Sequence, residues 1–295
     1  MSGKTASAMQ MTRVRDEQAL VANARMYSVN AEVAALWERL FHWIAAESDV
    51  ALVVVAHAAP EPLEALWLRT DLGCAFMCGY PFATWREAAT HRPRLLAAPL
   101  PSPARYEQRP AYCTDIVVHA DSAYETIDAL RGARFGYTTE NSQSGCRAPR
   151  DFFAERARNA DERSFSAVIG PLQTPRSVVN ALLDGRIDAG PLDSWWHDLL
   201  QRHEPATASR LRVVASTPLA PIPPLVCSEG ISNAGRERLA AALMRVADDS
   251  RLADLRDGLL LRGFAVPDEK DYMMLAGELR RADEDANFTQ WPWRG

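Results

Sequence analysis

The strongest constraint in this sequence is the regular alternation of short apolar runs with longer amphipathic segments. Val50–Ala56 and Asp115–His119 have the length of buried strands, and each is followed by a segment with helical spacing. From Ala31 to Ala46 the apolar residues recur every three or four positions, which predicts a helix with one buried face. Alternating strands and helices are typical of layered α/β proteins. The sequence therefore predicts an α/β fold with mostly parallel sheets.

The same reading predicts three local structures that the fold will test. Ala22–Tyr27 has the length of a short strand, and Cys78–Phe82 contains the Gly and Pro of a turn. Ser122 with Glu125 fits a capping box, which predicts a helix over the sequence SAYETIDAL. Each of these predictions rests on local pattern alone.

Two stretches have the features of crossings between lobes, near Tyr112–Asp115 and in the proline-rich Ser216–Pro224. A chain that enters a second α/β lobe and later returns forms two lobes joined by two strands. The cleft between such lobes is a common ligand site. The predicted organisation is a first lobe from residues 21–114 and 217–295, a second lobe from residues 115–216, and a mobile tail at residues 1–20.

Composition and charge exclude several classes of protein. The chain has 295 residues and a net charge of -5 at pH 7, which argues against a nucleic-acid-binding protein. No apolar run approaches the roughly 20 residues of a membrane helix, so no membrane span is predicted. Gln10, Arg13 and Arg15 interrupt any apolar core of an export signal. The chain as written is predicted to be cytoplasmic, whereas a signal sequence preceding Met1 would make it periplasmic.

The sequence contains no recognised catalytic or metal-binding motif. Its five cysteines are odd in number and match no zinc spacing, so reduced, buried thiols are expected. It has no phosphate-binding Gly-rich loop, dinucleotide fingerprint or zinc-protease motif, and its six histidines are scattered. We therefore predict no catalytic residue, no metal ion and no cofactor.

Residues 138–153, TTENSQSGCRAPRDFF, contain more small polar residues than one helix cap requires. They lead into a predicted helix at Pro149–Ala157. Helix starts leave backbone N–H groups unpaired and carry a partial positive charge, so they bind anions where small residues allow close approach. Ser142 and Ser144 add hydroxyl donors, and Gly145 removes a side chain that would block approach. On the residues alone, an anion site and a plain helix cap with its loop are equal interpretations.

A series of segments, taken in order, resembles a known family. The segments are RMYS at 25–28, CGYPF at 78–82, DIVVHADSAYETIDALRGARFGYTTENSQSG at 115–145, TPRSVVNALLDGRIDAGPLDSWW at 174–196, LRVVASTPLAPIPPLV at 211–226 and LLRGFAVPDEKDY at 260–272. Together they resemble the phosphate/phosphonate-type substrate-binding proteins of ABC transporters. The resemblance covers most of residues 22–280. It implies a type II periplasmic-binding-protein-like fold, with two α/β lobes, a two-strand hinge and a ligand cleft between the lobes.

The resemblance also implies a set of ligand-binding residues. In the family a serine-rich turn holds the phosphonate or phosphate oxygens, and Ser142, Gln143, Ser144 and Gly145 occupy that place here. Two tyrosines after strand ends are expected to close on the anion from the opposite side, and an acidic residue is expected to face the cleft. The remaining ligand-binding residues implied in this way are Tyr27, Tyr80, Thr174, Ser177 and Asp193.

Other interpretations stay open for some of these residues. Tyr27 also fits a buried core position, and Asp193 also fits a cap for the helix that begins at Ser194. If Asp193 faces the cleft, it would accept a proton from a monoprotonated phosphonate or pair with an amine on the ligand. The family turn at residues 174–177 often carries a histidine before the serine, where this chain has Arg176. That arginine is either an anion contact or a solvated residue, and the departure bears on phosphonate as the ligand.

The predicted function is capture of a small oxyanion-bearing ligand, such as a phosphonate or phosphate, for ABC-type uptake. The expected partners are that small anionic ligand and an ABC transporter permease. One alternative on the same fold is a cytosolic ligand-sensing protein, which would normally carry a DNA-binding helix-turn-helix that the first 20 residues cannot supply. The other is an enzyme resembling the one that makes the thiamine pyrimidine, which needs clustered histidines.

Overall fold

The computed structural model describes residues 19–85, 92–156 and 165–284. Its strands, numbered along the chain, are β1 (Leu20–Asn23), β2 (Leu52–Val54), β3 (Leu72–Phe76), β4 (Arg94–Pro101), β5 (Ala111–Tyr112), β6 (Thr114–His119), β7 (Ala133–Gly136), β8 (Phe165–Ile169), β9 (Ala189–Asp193), β10 (Leu211–Ser216), β11 (Ala220–Pro221), β12 (Leu225–Cys227) and β13 (Leu261–Ala265). Its α-helices are α1 (Ala31–Ser48), α2 (Leu63–Trp67), α3 (Gly79–Ala83), α4 (Ala148–Ala154), α5 (Pro175–Leu183), α6 (Ser194–His203), α7 (Pro205–Ala208), α8 (Asn233–Arg245), α9 (Ala253–Gly258) and α10 (Glu269–Glu284).

Two separate sheets carry the fold. The larger has six strands in the order β13-β4-β12-β3-β1-β2 and forms the first lobe. The smaller has five strands in the order β10-β6-β9-β7-β8 and forms the second lobe. A short antiparallel pair, β5 with β11, joins Tyr112 to Ala220 where the chain passes between the sheets. The predicted two-lobed α/β fold is thus confirmed, while the lobe boundaries at residues 114/115 and 216/217 stay a prediction.

The strand directions correct the expectation of mostly parallel sheets. β1 is parallel to β2 and β3, and β7 is parallel to β8 and β9. The other pairings within the two sheets are antiparallel in the described residues. β6 and β12 adjoin the two crossings, and each runs against the direction of the parallel strand beside it, β9 and β3 respectively. The result is a parallel half and an antiparallel half in each sheet.

The helix predicted from Ser122 is wrong, and a distant arginine gives the reason. The segment forms only a single 3-10 turn at Asp128–Leu130. Arg212 of β10 donates hydrogen bonds of 2.7, 2.8 and 3.0 Å to the carbonyl oxygens of Ala120, Ser122 and Tyr124. A helix would need these carbonyl groups for its own backbone hydrogen bonds. The side chain of a neighbouring strand therefore overrides the local capping pattern.

Two other local predictions are also corrected. The strand predicted over Ala22–Tyr27 ends at Asn23, whose Oδ1 accepts a 2.9 Å hydrogen bond from the backbone N–H of Arg25 and turns the chain into a 3-10 helix. The turn predicted at Cys78–Phe82 is the short helix α3. Its Phe82 ring packs against Tyr272 of α10 with centroids 5.6 Å apart, and this contact favours the helical form.

The hydrophobic core is continuous between the lobes. Trp195, in the first turn of α6, is fully buried. Its ring lies 4.5 Å from that of Tyr27, 5.9 Å from that of Trp37 and 6.3 Å from that of Phe76, measured between centroids. All three partners belong to the first lobe, whereas α6 follows directly from β9 of the second. This aromatic contact fixes the region where the ends of β1, β3 and β9 meet.

The ends of the chain add little to this picture. The tail predicted at residues 1–20 lies outside the described residues except for its last two positions, of which Leu20 already opens β1. Across the part of the chain that the structure describes, no helix is both long and apolar enough to cross a membrane.

Candidate functional site

A cavity of about 480 Å³ lies between the two lobes. Its first-lobe wall comes from the segments that follow β1, β2 and β3, and its second-lobe wall from the segments that follow β7, β8 and β9. These are the parallel strands of the two sheets. Ligands of α/β sheets bind at the carboxyl ends of parallel strands, where side chains from several strands converge. We call this cavity the cleft.

The turn after β7 has a tightly packed form. The backbone N–H of Thr138 donates to the carbonyl of Gly145 at 3.1 Å, and Gly145 N–H donates to Ser142 Oγ at 3.0 Å. A Cβ atom at position 145 would lie 1.8 Å from Thr138 Oγ1. Contact with Thr138 is therefore one reason for a glycine at position 145, and its role in the approach of an anion stays a prediction. A π-helical turn at Gln143–Arg147 then leads into α4.

Two backbone amides of this turn are already occupied. Gly145 N–H is held by Ser142, and Gln143 N–H donates to Cys78 Sγ across the lobes at 3.2 Å. These two N–H groups are therefore not free to bind an anion in this form of the turn. Ser142, Ser144 and Thr138 line the cleft, so this wall offers hydroxyl groups instead.

Asp193 ends β9 at the floor of the cleft. Its Oδ1 accepts hydrogen bonds from the backbone N–H groups of Trp195 (3.0 Å) and Trp196 (3.1 Å), and its Oδ2 accepts one from the Tyr27 hydroxyl (3.0 Å). Burial raises the pKa of Asp193 to about 7, although these hydrogen bonds favour the charged form. Asp193 thus caps α6 and also lines the cleft, while its contact with a ligand stays a prediction.

Two arginines line the cleft, and their partners differ. Arg176 forms hydrogen bonds of 2.9 and 2.6 Å to the carboxylate of Glu204 and one of 2.8 Å to the carbonyl of Val29. Its guanidinium is therefore already paired within the protein, although the side chain is only half-buried, and an anion would have to compete with Glu204. Arg25 donates to the carbonyl of Glu61 at 2.5 Å and forms no ion pair with any described residue. The carboxylates of Glu61 and Glu64, which line the same cleft, offset part of its positive charge.

The structure separates the predicted site residues into two groups. Ser142, Ser144, Gly145, Thr174 and Asp193 line the cleft. Within the described residues, the cleft lining does not include Tyr27, Tyr80, Gln143 or Ser177.

The second group lies directly behind the cleft wall. Tyr27 is fully buried and reaches the cleft only through Asp193, as its core interpretation required. The guanidinium of Arg147, in the second lobe, lies over the ring of Tyr80, in the first, at 4.7 Å from the ring centroid. Ser177 Oγ is 2.8 Å from Thr174 Oγ1, which it can orient.

Sequence reasoning missed several residues of the cleft. Arg25 stands beside Tyr27 in the RMYS segment, at the end of β1, and that position was the available signal. Glu64 of α2 accepts a hydrogen bond from Asn141 Nδ2 across the cleft, and both line it. This contact had no sequence signal, because the two residues lie in different lobes.

A second group of charged side chains joins the lobes beside the crossings. We call Arg105, Asp115, His197, Asp198 and Ser216 the hinge cluster. Asp115 is fully buried and lies 3.0 Å from Arg105 Nη1, 2.9 Å from His197 Nδ1 and 2.7 Å from Ser216 Oγ. Arg105 Nη2 also contacts Asp198 Oδ1 at 2.7 Å. Burial alone would raise the pKa of Asp115, but the His197 hydrogen bond and the charge of Arg105 outweigh it, and the pKa is lowered.

The cleft combines three kinds of group around one cavity. It offers hydroxyl groups from one lobe, a guanidinium from the other, and a carboxyl group that exchanges its proton near neutral pH. Within residues 19–85, 92–156 and 165–284, no cluster of three or more His, Cys, Asp or Glu side chains is placed to hold a metal ion. The arrangement is suited to holding a polar ligand by hydrogen bonds and charge.

Comparison with known proteins gives a consistent result. Residues 27–272 match the family described as ABC transporter, phosphonate, periplasmic substrate-binding protein. No curated protein sequence matches the chain.

Solved structures resemble the whole fold. The binding-protein component of an ABC phosphonate transporter from Pseudomonas aeruginosa has a TM-score of 0.73 and 16% identity, over 92% of this chain and 90% of that chain. A protein from Prochlorococcus marinus in complex with methylphosphonate has a TM-score of 0.71 and 16% identity, over 90% and 99%. A Xanthomonas citri protein bound to ATP has a TM-score of 0.63 and 16% identity, over 89% and 97%. At such identity these likenesses show the fold alone.

Proposed function

This chain belongs to the family of phosphonate-type periplasmic substrate-binding proteins of ABC transporters, and on that premise we propose that it captures a small oxyanion-bearing ligand for ABC-type uptake. The observation that carries the proposal is the cleft at the strand ends of both sheets, where hydroxyl groups of residues 138–145 and the guanidinium of Arg25 share one cavity. Such donors match the oxygens of a phosphonate or phosphate. Methylphosphonate and ATP, found in two structural relatives, have a phosphorus oxyanion in common.

In this proposal the two lobes hold the oxyanion from opposite sides. The hydroxyls of Ser142, Ser144 and Thr174 donate to its oxygens, and Arg25 supplies the positive charge. Hydrogen bonds to a charged group contribute about 1.5–3 kcal/mol each. Four or five of them, less the cost of association, support a Kd of about 1 µM. Gly145 contributes by letting the turn pack against Thr138 in the form that presents these hydroxyls.

The other predicted residues have supporting roles in the proposal. Gln143 and Tyr80 join the lobes through Cys78 and Arg147, so they favour the closed form. Ser177 orients the hydroxyl of Thr174. Each of these roles acts on the ligand through another residue and not by direct contact.

Asp193 gives the cleft a preference for a ligand with a proton to donate. Its Oδ2 accepts one hydrogen bond, from Tyr27, which leaves acceptor capacity on that oxygen. Burial raises the pKa of the Tyr27 hydroxyl, with the charge of Asp193 adding to the effect, so this hydroxyl stays protonated and remains a donor. A P–OH group or an ammonium group on the ligand would complete the contact.

We further infer that binding is reversible and without turnover, because the family consists of transport receptors. The expected partner is an ABC permease, and the expected location is the periplasm that the family name states. Cell fractionation with an antibody against the chain tests the location. Phosphorus NMR of methylphosphonate after long incubation with the protein tests for turnover, and a new phosphorus signal would contradict the proposal.

Titration calorimetry tests the proposed function directly. The purified chain is titrated with phosphate, methylphosphonate, sulfate, methanesulfonate and acetate at constant pH and ionic strength. We expect binding of at least one phosphorus oxyanion, with weaker binding of acetate. The absence of heat with every compound in the series would overturn the proposal.

A pair of substitutions then tests whether the 138–145 turn contacts the ligand. Ser144→Ala removes a hydroxyl donor and should weaken binding about fivefold, near 1 kcal/mol. Cys78→Ala, the matched control, removes a thiol that lines the cleft and accepts the Gln143 N–H but takes away no hydroxyl donor, and it should weaken binding less. Greater loss with Cys78→Ala would place the anion elsewhere in the cleft.

A further inference from the structure

The cleft is much larger than an oxyanion. Its volume of about 480 Å³ corresponds to roughly sixteen non-hydrogen atoms at the share of about 30 Å³ that a water molecule has in the liquid. Phosphate or methylphosphonate would occupy only a small part of this space. The remainder must hold water or another part of the ligand.

Prolines make up much of the walls around this extra space. Six of them line the cleft: Pro60, Pro62, Pro81, Pro171, Pro175 and Pro191. Proline has no N–H group, so these positions offer no backbone donor to water or to a polar ligand. Trapped water would find its partners there in other side chains of the lining, among them Glu61, Glu64, Asn141 and Gln173.

Larger apolar side chains complete the same walls. Met26 and Leu63 line the cleft from the first lobe and Trp196 from the second. Trp67 also contributes its ring, because its Nε1 is occupied by a 2.9 Å hydrogen bond to the carbonyl of Phe76. The cleft thus combines a small polar part with an extensive apolar part. A ligand with the same two parts would remove the most apolar surface from water.

We propose that the physiological ligand is an organic phosphonate or phosphate monoester whose oxyanion is attached to an apolar body of about ten non-hydrogen atoms, aromatic or branched. This inference rests on the proposed function, because the oxyanion end is the one assigned there to the turn and Arg25. The apolar body fills the volume between the proline-lined walls. Affinity then rises with the size of the body until the cleft is full.

A ligand series on the unaltered protein tests this inference. Methylphosphonate, phenylphosphonate and 1-naphthylphosphonate are titrated by calorimetry at one pH. The control is 1-naphthalenemethanol, which has the apolar body but no oxyanion. We expect affinity to rise at least about tenfold from the methyl to the naphthyl compound. Equal or weaker binding of the naphthyl compound overturns the inference while the proposed function stands. Binding of none of the phosphonates overturns the proposed function, and this inference with it.

Two leucines of one helical segment provide a matched pair of variants. Leu63 begins α2 and lines the cleft, whereas Leu68 follows the same helix and is 48% exposed outside it. Leu63→Ala should weaken the binding of naphthylphosphonate at least about fivefold and the binding of methylphosphonate less than about twofold. Leu68→Ala should change neither. Equal weakening of both ligands by Leu63→Ala contradicts the inference, and urea unfolding of both variants shows whether either has lost its fold.

Discussion

Two buried aspartates, both between the lobes, differ in how their charge is balanced. Asp115, in the hinge cluster, is contacted by Arg105, His197 and Ser216, and its pKa is lowered. Asp193, in the cleft, has a tyrosine hydroxyl and two backbone amides as its donors, and its pKa is raised to about 7. Asp115 lies in β6 and Asp193 in β9, and these two strands pair with each other.

The difference distinguishes a charge that is balanced by other groups of the protein from one that remains available to a ligand. A buried carboxylate that is paired within the protein contributes to the folded state and has little left to offer a ligand. A buried carboxyl without a cationic partner is costly in the folded protein, and such groups concentrate at binding sites. The same contrast holds for two arginines. Arg105 forms ion pairs with two carboxylates, whereas Arg25 forms none with any carboxylate that the structure describes. The comparison predicts which substitutions affect stability and which affect binding.

The largest expected effect is on stability, at Asp115. Asp115→Asn leaves Arg105 and His197 without their buried anion and should lower the free energy of unfolding by about 3 kcal/mol. Asp193→Asn replaces a carboxyl whose burial already costs stability at pH 7 with a neutral amide that can still cap α6, so it should not lower that free energy. Urea denaturation of both variants at pH 7 measures the two values. A larger loss for Asp193→Asn would reverse the assignment of the two aspartates.

The next effect is on binding, at Arg25. Arg25→Gln removes a guanidinium that forms no ion pair with a described residue, and should weaken methylphosphonate binding about 30-fold, near 2 kcal/mol. Arg176→Gln serves as the control, because Glu204 already pairs with that guanidinium, and it should weaken binding less. Calorimetry of the two variants against one ligand decides between the two arginines. The opposite order would make Arg176 the contact that compensates for the histidine missing from the 174–177 turn.

The third effect is a pH dependence of stability that has opposite sign at the two aspartates. The folded chain keeps a proton on Asp193 that the unfolded chain releases above about pH 4, so stability falls as the pH rises from about 4 to about 7, by at most about 1.4 kcal/mol per pH unit. Asp115, with its lowered pKa, stabilises the fold above about pH 4 and loses this contribution as the pH falls. The midpoint of urea unfolding, measured at intervals from pH 3 to pH 8, reports the pH dependence that each aspartate gives to the stability.

The variants of the first experiment supply the controls for this pH series. Asp193→Asn should flatten the slope between pH 4 and pH 7, and Asp115→Asn should flatten the slope below about pH 4. An unchanged slope between pH 4 and pH 7 in Asp193→Asn would mean that another group causes it.

Local pattern was sufficient for most of the fold but not for the parts set by distant contacts. The spacing at Ala31–Ala46 correctly predicts α1, because one apolar face is a property of the segment itself. The failure at Ser122 comes from Arg212, which lies 90 residues further along the chain. No local rule contains a side chain from another strand that takes the carbonyl groups of a potential helix.

The candidate site shows the same division. The 138–145 turn and Asp193 follow strand ends, so their position at the cleft could be predicted from the order of elements. The reason for Gly145 could not, because it depends on the position of the Thr138 hydroxyl. Arg25 was missed because, in a sequence, a single arginine after a strand looks like an ordinary surface charge. Its place in the cleft and its lack of an ion pair with a described residue are visible only in the structure.

The burial of Trp195 sets a mechanical limit on how the protein can open. Its indole lies between Tyr27 and Phe76 of the first lobe, although its helix continues a strand of the second. Withdrawing a tryptophan from such surroundings costs about 4 kcal/mol or more, at 25 cal/mol for each Å² of a ring that covers 150–250 Å². We therefore expect any opening rotation of the two lobes to keep this ring in place and to separate lighter contacts, such as Asn141 with Glu64.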